Sequence, residues 1–196
     1  MDMPNSYNEV KAGGDFTPVE LGGHHLIIKQ VNETKSKTGL PMIVVLFDMA
    51  KNDKQPEYMT EEFRNDVRPD KKWPHSGTQY ILTAGQDGEC TKSFKSFMTS
   101  FEKSNNCEAV WGEKFNAQFK NKKIGGVFGE VENEYNGKTT MRHELRWFCD
   151  DGKVDTIAVP APKMLDKTSA PAQATSTGDT SAFMPVEDAG EVIPWG

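Results

Sequence analysis

Apolar positions recur along this chain at two spacings, and each spacing predicts its own kind of element. Residues 24–31 (HHLIIKQV) and 41–48 (PMIVVLFD) are short apolar runs separated by the polar, glycine-ended stretch 32–39 (NETKSKTG), which reads as two strands joined by a turn. In the second run both alternating sets, Met42/Val44/Leu46 and Ile43/Val45/Phe47, are apolar, so a central strand covered on both sides is expected. Residues 58–67 alternate as well, with Phe63, Asn65 and Val67 on one face and Glu62, Arg64, Asp66 and Arg68 on the other, which predicts a third strand. Residues 78–82 fit either a short strand or the lead into a helix.

Helical spacing follows. Phe94, Phe97, Met98 and Phe101 fall at i, i+3, i+4 and i+7 behind Thr91, a residue able to cap the helix. Trp111, Phe115 and Phe119 are spaced for a second short helix, and both stripes are expected in the core. Strands return at 123–135 and 138–148. They flank Asn136-Gly137, a dipeptide suited to a hairpin turn whose two central residues need positive φ. Gly125, Gly126 and Gly129 in the first arm imply a sharp bend or a close backbone approach. In the second arm Met141, His143, Leu145 and Trp147 share the face expected in the core, leaving Arg142, Glu144, Arg146 and Phe148 outward.

The order is therefore strand, strand, strand, helix, strand, strand. This predicts a mainly β chain with a small helical insertion, arranged as an OB-like five-stranded barrel with its helix between strands 3 and 4. An open antiparallel sheet with helices on one face has the same element order.

Composition changes the picture at the C-terminus. From about Pro160 the chain is rich in Ala, Pro, Ser, Thr and Gly, which predicts a disordered tail. The expected organisation is an irregular N-terminal arm (1–20), one domain (21–159) and an acidic tail (160–196). The tail holds two lysines against five carboxylates, a net −3 out of the whole chain's −6. The body is thus not basic overall, and any polyanion it binds must meet a local patch. At 36 % hydrophobic residues and a mean hydropathy of −0.65, a modest core is implied. No apolar run reaches membrane-spanning length, and residues 1–16 lack a basic-then-apolar signal pattern, so a cytoplasmic location and no membrane partner are expected. Cys90, Cys107 and Cys149 are far apart, which fits a reducing compartment and argues against a zinc site.

Binding single strands without sequence preference takes cations for the phosphates and aromatic rings for the bases. The densest such cluster is Arg64, Arg68, Lys71, Lys72 and Trp73, with Tyr80 as a further stacking ring and Arg142 and Arg146 as a second cationic pair. At the chain's end, Glu187, Asp188, Glu191, Val192, Ile193, Pro194 and Trp195 form an acidic stretch with an apolar tip, suited to docking in an apolar pocket with a basic rim. No catalytic, metal or cofactor motif occurs: His24 and His25 diverge on a strand, and no phosphate loop or nucleophile elbow is present.

The tip resembles the acidic tails of bacterial and phage single-stranded-DNA-binding proteins, which end in a similar Ile-Pro-aromatic sequence. Here Gly196 follows the aromatic, displacing the terminal carboxylate by one residue. The body resembles the phage-encoded domain-of-unknown-function family 669. The matching stretches are Ile27-Ile28-Lys29-Gln30-Val31, Glu33-Thr34-Lys35, Gly39-Leu40-Pro41-Met42, Ser93-Phe94-Lys95 and Tyr135-Asn136-Gly137-Lys138-Thr139. That resemblance implies an OB-like fold and a role in phage or prophage DNA replication, recombination or repair. The expected partners are single-stranded DNA and, through the tail, replication or recombination proteins. A protein-interaction or structural module and a nuclease or resolvase accessory enzyme are the alternative classes, and homo-oligomerisation is left open.

Overall fold

A computed structural model of the chain describes residues 17–165 together with Met3, Tyr7 and Asn8. It is mainly β. Five strands, β1 (Gly22–Lys35), β2 (Pro41–Met49), β3 (Thr78–Leu82), β4 (Lys123–Tyr135) and β5 (Lys138–Cys149), form one antiparallel sheet in the order β3-β2-β1-β4-β5. Helix α1 (Tyr58–Asn65) lies between β2 and β3, and α2 (Lys92–Asn105) between β3 and β4. Among the described residues no helix is long and apolar enough to cross a membrane.

The core is aromatic. Phe94, Phe97, Met98 and Phe101 of α2 are buried as their spacing predicts, and the Thr91 hydroxyl accepts the Phe94 N–H at 3.1 Å. Phe97 packs edge-on against Phe148 with ring centres 5.2 Å apart, and Phe148 against Phe47 at 5.8 Å. Of β2, Ile43, Val45 and Phe47 are fully buried, whereas Met42 and Val44 on the opposite face are only half-buried. The expectation of cover on both sides therefore holds only towards Leu46, which is 6 % exposed. Asn136 and Gly137 have φ of 51° and 72°, so the β4–β5 turn has the two left-handed residues predicted for it.

Residues 58–67 are not a strand. So short a segment fits period two and period 3.6 equally, and the neighbouring strand decides between them. Asp48 of β2, wholly buried, accepts the Met59 N–H at 2.9 Å, an orphan donor of the first helical turn, and also the Thr60 hydroxyl. Met59 and Phe63 then fall on one helical side, Met59 completely buried and Phe63 against Trp73. The third strand is 78–82 instead, so strand number and helix placement survive the correction. The second predicted helix shrinks to a 3-10 turn at Asn116–Phe119, ahead of which Trp111 stacks on Phe115.

Two β-bulges break the alternation that the sequence pattern assumes. In β1 the pairing slips at Lys29, so Ile28 and Val31 both face the core. In β5 it slips at Arg146, between the Val127–Trp147 and Phe128–Leu145 pairs. Past that point Phe148 turns inward, 7 % exposed, and Trp147 turns outward, 43 % exposed, the reverse of the expected faces.

The domain also extends further at both ends than 21–159. After β5 the chain turns back across the sheet: a Cβ on Gly23 would lie 2.2 Å from the Val154 carbonyl oxygen, and one on Gly129 would lie 2.6 Å from the Pro160 ring. The other two β4 glycines are approached as closely: a Cβ on Gly125 would lie 2.7 Å from the Val154 side chain and one on Gly126 2.4 Å from the Leu26 side chain. Lys163 then pairs parallel to β4, donating to the Glu130 carbonyl at 2.9 Å and accepting from the Glu132 N–H at 2.8 Å, so residues 160–165 belong to the domain rather than to a tail. At the N-terminal side residues 17–20 form no helix or strand, yet side chains hold them. Tyr58 donates to the Thr17 carbonyl at 2.8 Å, Gln55 accepts from the Glu20 N–H at 2.7 Å, and Val19 is 3 % exposed.

Candidate nucleic-acid interface

The structure takes the basic-aromatic loop apart. Arg64 lies exposed in the last turn of α1, and Lys71 donates to its carbonyl at 3.2 Å, closing the helix end. Arg68 is clamped by Asp66, with Nη2 2.6 Å and Nε 2.9 Å from one carboxylate oxygen. The hydrogen bonds and charge of Arg68 hold the Asp66 carboxyl down at about 2. With the Arg68 side chain 66 % exposed, this is a surface ion pair of the weakly held kind. Lys72 is exposed. Trp73, expected as a stacking ring, is instead built into the domain: its indole N–H points at the carbonyls of Gly77 (3.1 Å) and Phe47 (3.2 Å), and its ring packs on Phe63 at 5.7 Å.

Tyr80 lies on β3 with its ring exposed. Cross-strand partners in an antiparallel ladder share a face. The pairs Tyr80–Val44–Asn32, Leu82–Met42–Thr34 and Thr78–Leu46–Gln30 therefore form three rows on the outward side of β3, β2 and β1. The opposite side carries the buried Ile81, Ile43, Val45 and Val31. On the outward side Tyr80 is 53 % exposed and Leu82 37 %, with Met42 and Val44 half-buried beneath them. The result is a sheet face with an accessible ring on an apolar floor, bordered by the amides and hydroxyls of Gln30, Asn32 and Thr34. Lys35 and Lys37, exposed at the adjoining β1–β2 turn, supply positive charge at its end.

The two predicted arginines of β5 part company. Arg142 is exposed and shares a face with Thr140, Lys138 and Tyr135 of the β4–β5 hairpin, where Tyr135 is 72 % exposed. Arg146, the bulged residue, donates to the carbonyls of Glu130 (3.3 Å) and Ala161 (3.2 Å), tying residues 160–165 to β4. It serves the fold rather than extending a patch. Sequence reasoning placed Trp147 inside; its exposure follows from the bulge, for which a single strand's alternation carries no signal.

The edge strands β3 and β5 both line one cavity of about 150 Å3, which His75, Ser76, Thr78, Gln79, Tyr80, Glu144 and Leu145 surround. Among the described residues no group of three or more His, Cys, Asp or Glu side chains is arranged to hold a metal ion. The partner-docking residues Glu187, Asp188, Glu191, Val192, Ile193, Pro194 and Trp195 lie outside the described residues. No protein-family model matches the chain, and no curated protein matches it in sequence.

Proposed function

We propose that this chain is a non-enzymatic single-stranded-DNA-binding protein whose body is an OB-like barrel and whose acidic C-terminal segment recruits replication or recombination proteins of a phage or prophage in the bacterial cytoplasm. The strand order β3-β2-β1-β4-β5, with α2 between β3 and β4, supports the barrel, since the two edge strands border a common cavity. One observation carries the binding reading: the exposed Tyr80 ring on the open, apolar outer face of β3, β2 and β1. A ring so placed gives a base a π-face to stack on without demanding a sequence. Arg142 and Lys138 on the β4–β5 hairpin and Lys35 and Lys37 on the β1–β2 turn are the cations assigned to phosphates, together with Arg64 and Lys72.

Titration of labelled oligo-dT over a range of salt concentrations tests this. The logarithm of affinity falls with the logarithm of salt at a slope of about −0.7 for each phosphate neutralised. With a handful of cations engaged, binding is tight at low salt and weakens steeply above it. No binding at low salt refutes the proposal and leaves a protein-interaction module as the better reading.

A further inference from the structure

Residues 17–21 lie against the domain with every carbonyl accepting from a side chain. Tyr58 donates to Thr17 at 2.8 Å, Gln55 to Pro18 at 3.2 Å, His143 to Val19, His24 to Glu20 at 2.9 Å and Lys54 to Leu21 at 3.5 Å. The Glu20 N–H donates in turn to the Gln55 amide oxygen at 2.7 Å. Among the described residues no backbone–backbone hydrogen bond holds these five. A strap tied by side chains alone can open locally without any sheet pairing being broken.

One of its ties is a buried ionisable group. His24 is wholly buried, and both of its ring nitrogens face acceptors. Nε2 faces the Glu20 carbonyl, which can only accept, so Nε2 bears a hydrogen. Nδ1 lies 2.9 Å from Oδ1 of Asp53, a carboxylate that also accepts the Gln55 N–H at 2.9 Å and the His25 N–H at 2.7 Å. Burial raises the Asp53 carboxyl, but the bonds from His24, Gln55 and His25 outweigh it and keep the group below 3.8. Asp53 is therefore ionised and accepts from Nδ1 as well, which makes His24 a buried imidazolium. The other charged and titratable groups around it are Glu20 and Lys54, paired with each other at 3.3 Å, and His143 of β5 across Val19. From β4 the Phe128 ring meets it edge-on at 5.2 Å.

We propose that His24 is a pH-sensitive latch, holding residues 17–21 while both ring nitrogens are protonated and releasing them when one proton is lost. A neutral imidazole has one N–H for two acceptors. The hydrogen stays on Nδ1, because a bare Nδ1 sets its lone pair against the Asp53 carboxylate. Nε2 then turns a lone pair towards the Glu20 carbonyl, and the strap loses that tie. A histidine bond of this kind is complete in mild acid and is lost as pH rises. The neighbouring ties do not follow it. Gln55 does not ionise. Burial, and then the charge of Glu62, push the Tyr58 phenol up to about 12. His143 donates to Val19 through Nδ1 alone and does so when neutral.

The experiment follows cleavage of the full chain after Glu20 by a glutamate-specific protease, from about pH 6 to about pH 9, a span chosen to cover histidine titration. Each rate is divided by that for a free peptide of residues 15–25, which removes the protease's own pH dependence. The normalised rate is expected to rise about tenfold across the span, the size of one lost hydrogen bond. His24→Gln is expected to give a flat profile. Tyr58→Phe removes a tie that does not titrate in this span, so it is expected to be cleaved faster throughout and to keep the rise. NMR of the unaltered chain with 15N-labelled histidine reads the latch directly. The His24 ring is expected to show two N–H groups at the acid end and one at the alkaline end, in step with cleavage. A flat profile in the unaltered chain overturns the latch, as does a rise that persists in His24→Gln. A His24 ring with a single N–H at about pH 6 overturns it on the unaltered protein, whether or not the variant folds.

Discussion

Replacing two aromatic residues, Tyr80 and Trp73, separates the sheet face from the basic loop as the place where bases stack. Tyr80 is 53 % exposed and its hydroxyl bonds nothing among the described residues, so Tyr80→Ala removes only a half-open ring opposite Val44. The cost to stability is of the size of one cross-strand pair, about 0.2–1 kcal/mol. If the ring stacks on a base, the same substitution costs about 1–3 kcal/mol of binding, or roughly 5- to 150-fold in Kd. Trp73→Ala has the opposite profile. It strips the Phe47 and Gly77 carbonyls of their shared donor and removes packing against Phe63 and the core. For a half-buried tryptophan the loss approaches the lower end of about 3–5 kcal/mol, read as a fall in the urea midpoint. Anisotropy with labelled oligo-dT at one salt concentration gives the binding term, and urea unfolding gives the stability term. A Trp73→Ala protein with an unshifted midpoint but no binding, beside a Tyr80→Ala protein that binds normally, would refute the placement of the site on the sheet.

Asp48→Ala leaves the N–H groups of Met49 and Met59 and the Lys29 ammonium without their buried acceptor, and is expected to destabilise by about 3–5 kcal/mol; a urea midpoint within experimental error of the parent would show that α1 needs no such anchor. Burial raises the Asp53 pKa, but the bonds from His24 and the Gln55 and His25 backbone outweigh it, so the net shift is downward from 3.8. A depressed carboxyl contributes stability that is complete above about 3.8 and is lost as pH falls through the folded-state value, so urea midpoints measured into acid should drop less steeply in Asp53→Asn. Ending the chain after Leu165 is expected to leave the urea midpoint in place, whereas ending it after Val159 removes the Lys163 pairing with β4 and the Ala161 carbonyl from Arg146, lowering stability by about 1–3 kcal/mol.

Features legible in the sequence were those set by local chemistry. The Phe stripe of α2 needed only its own spacing and a threonine in front of it. The β4–β5 turn needed only Asn136 and Gly137. The strand β2 announced itself by the unbroken apolar run from Pro41 to Phe47. What failed was decided at a distance. Whether residues 58–65 coil or extend depends on Asp48, ten residues upstream of Tyr58, offering a carboxylate to the Met59 N–H. Which face Trp147 and Phe148 take depends on one extra residue in β5, which has meaning only against β4. The domain's C-terminal boundary depends on an open β4 edge that accepts Lys163, and a composition rich in small residues gives no hint of that edge.

The same distinction explains why the candidate site moved. A count of cations and rings treats each side chain as free, and the stretch from Arg64 to Trp73 has the most of both. Freedom is a property of neighbours. Arg68 has Asp66 two residues away, Lys71 has the carbonyl of Arg64, and Trp73 has two carbonyl groups and a phenyl ring. Each already has a partner in the fold, and of the three only Trp73 packs against the core. Tyr80 looked minor because its own segment is short and carries no charge. Only the register β3–β2–β1 reveals that Val44 and Asn32 lie in its row, and that the row faces outward while Ile81 faces the core. A binding surface on a sheet is assembled across strands, so its residues are scattered in sequence by tens of positions. Such a surface becomes visible when the pairing is known, and its test is accordingly a substitution at Tyr80 rather than in the loop that first draws the eye.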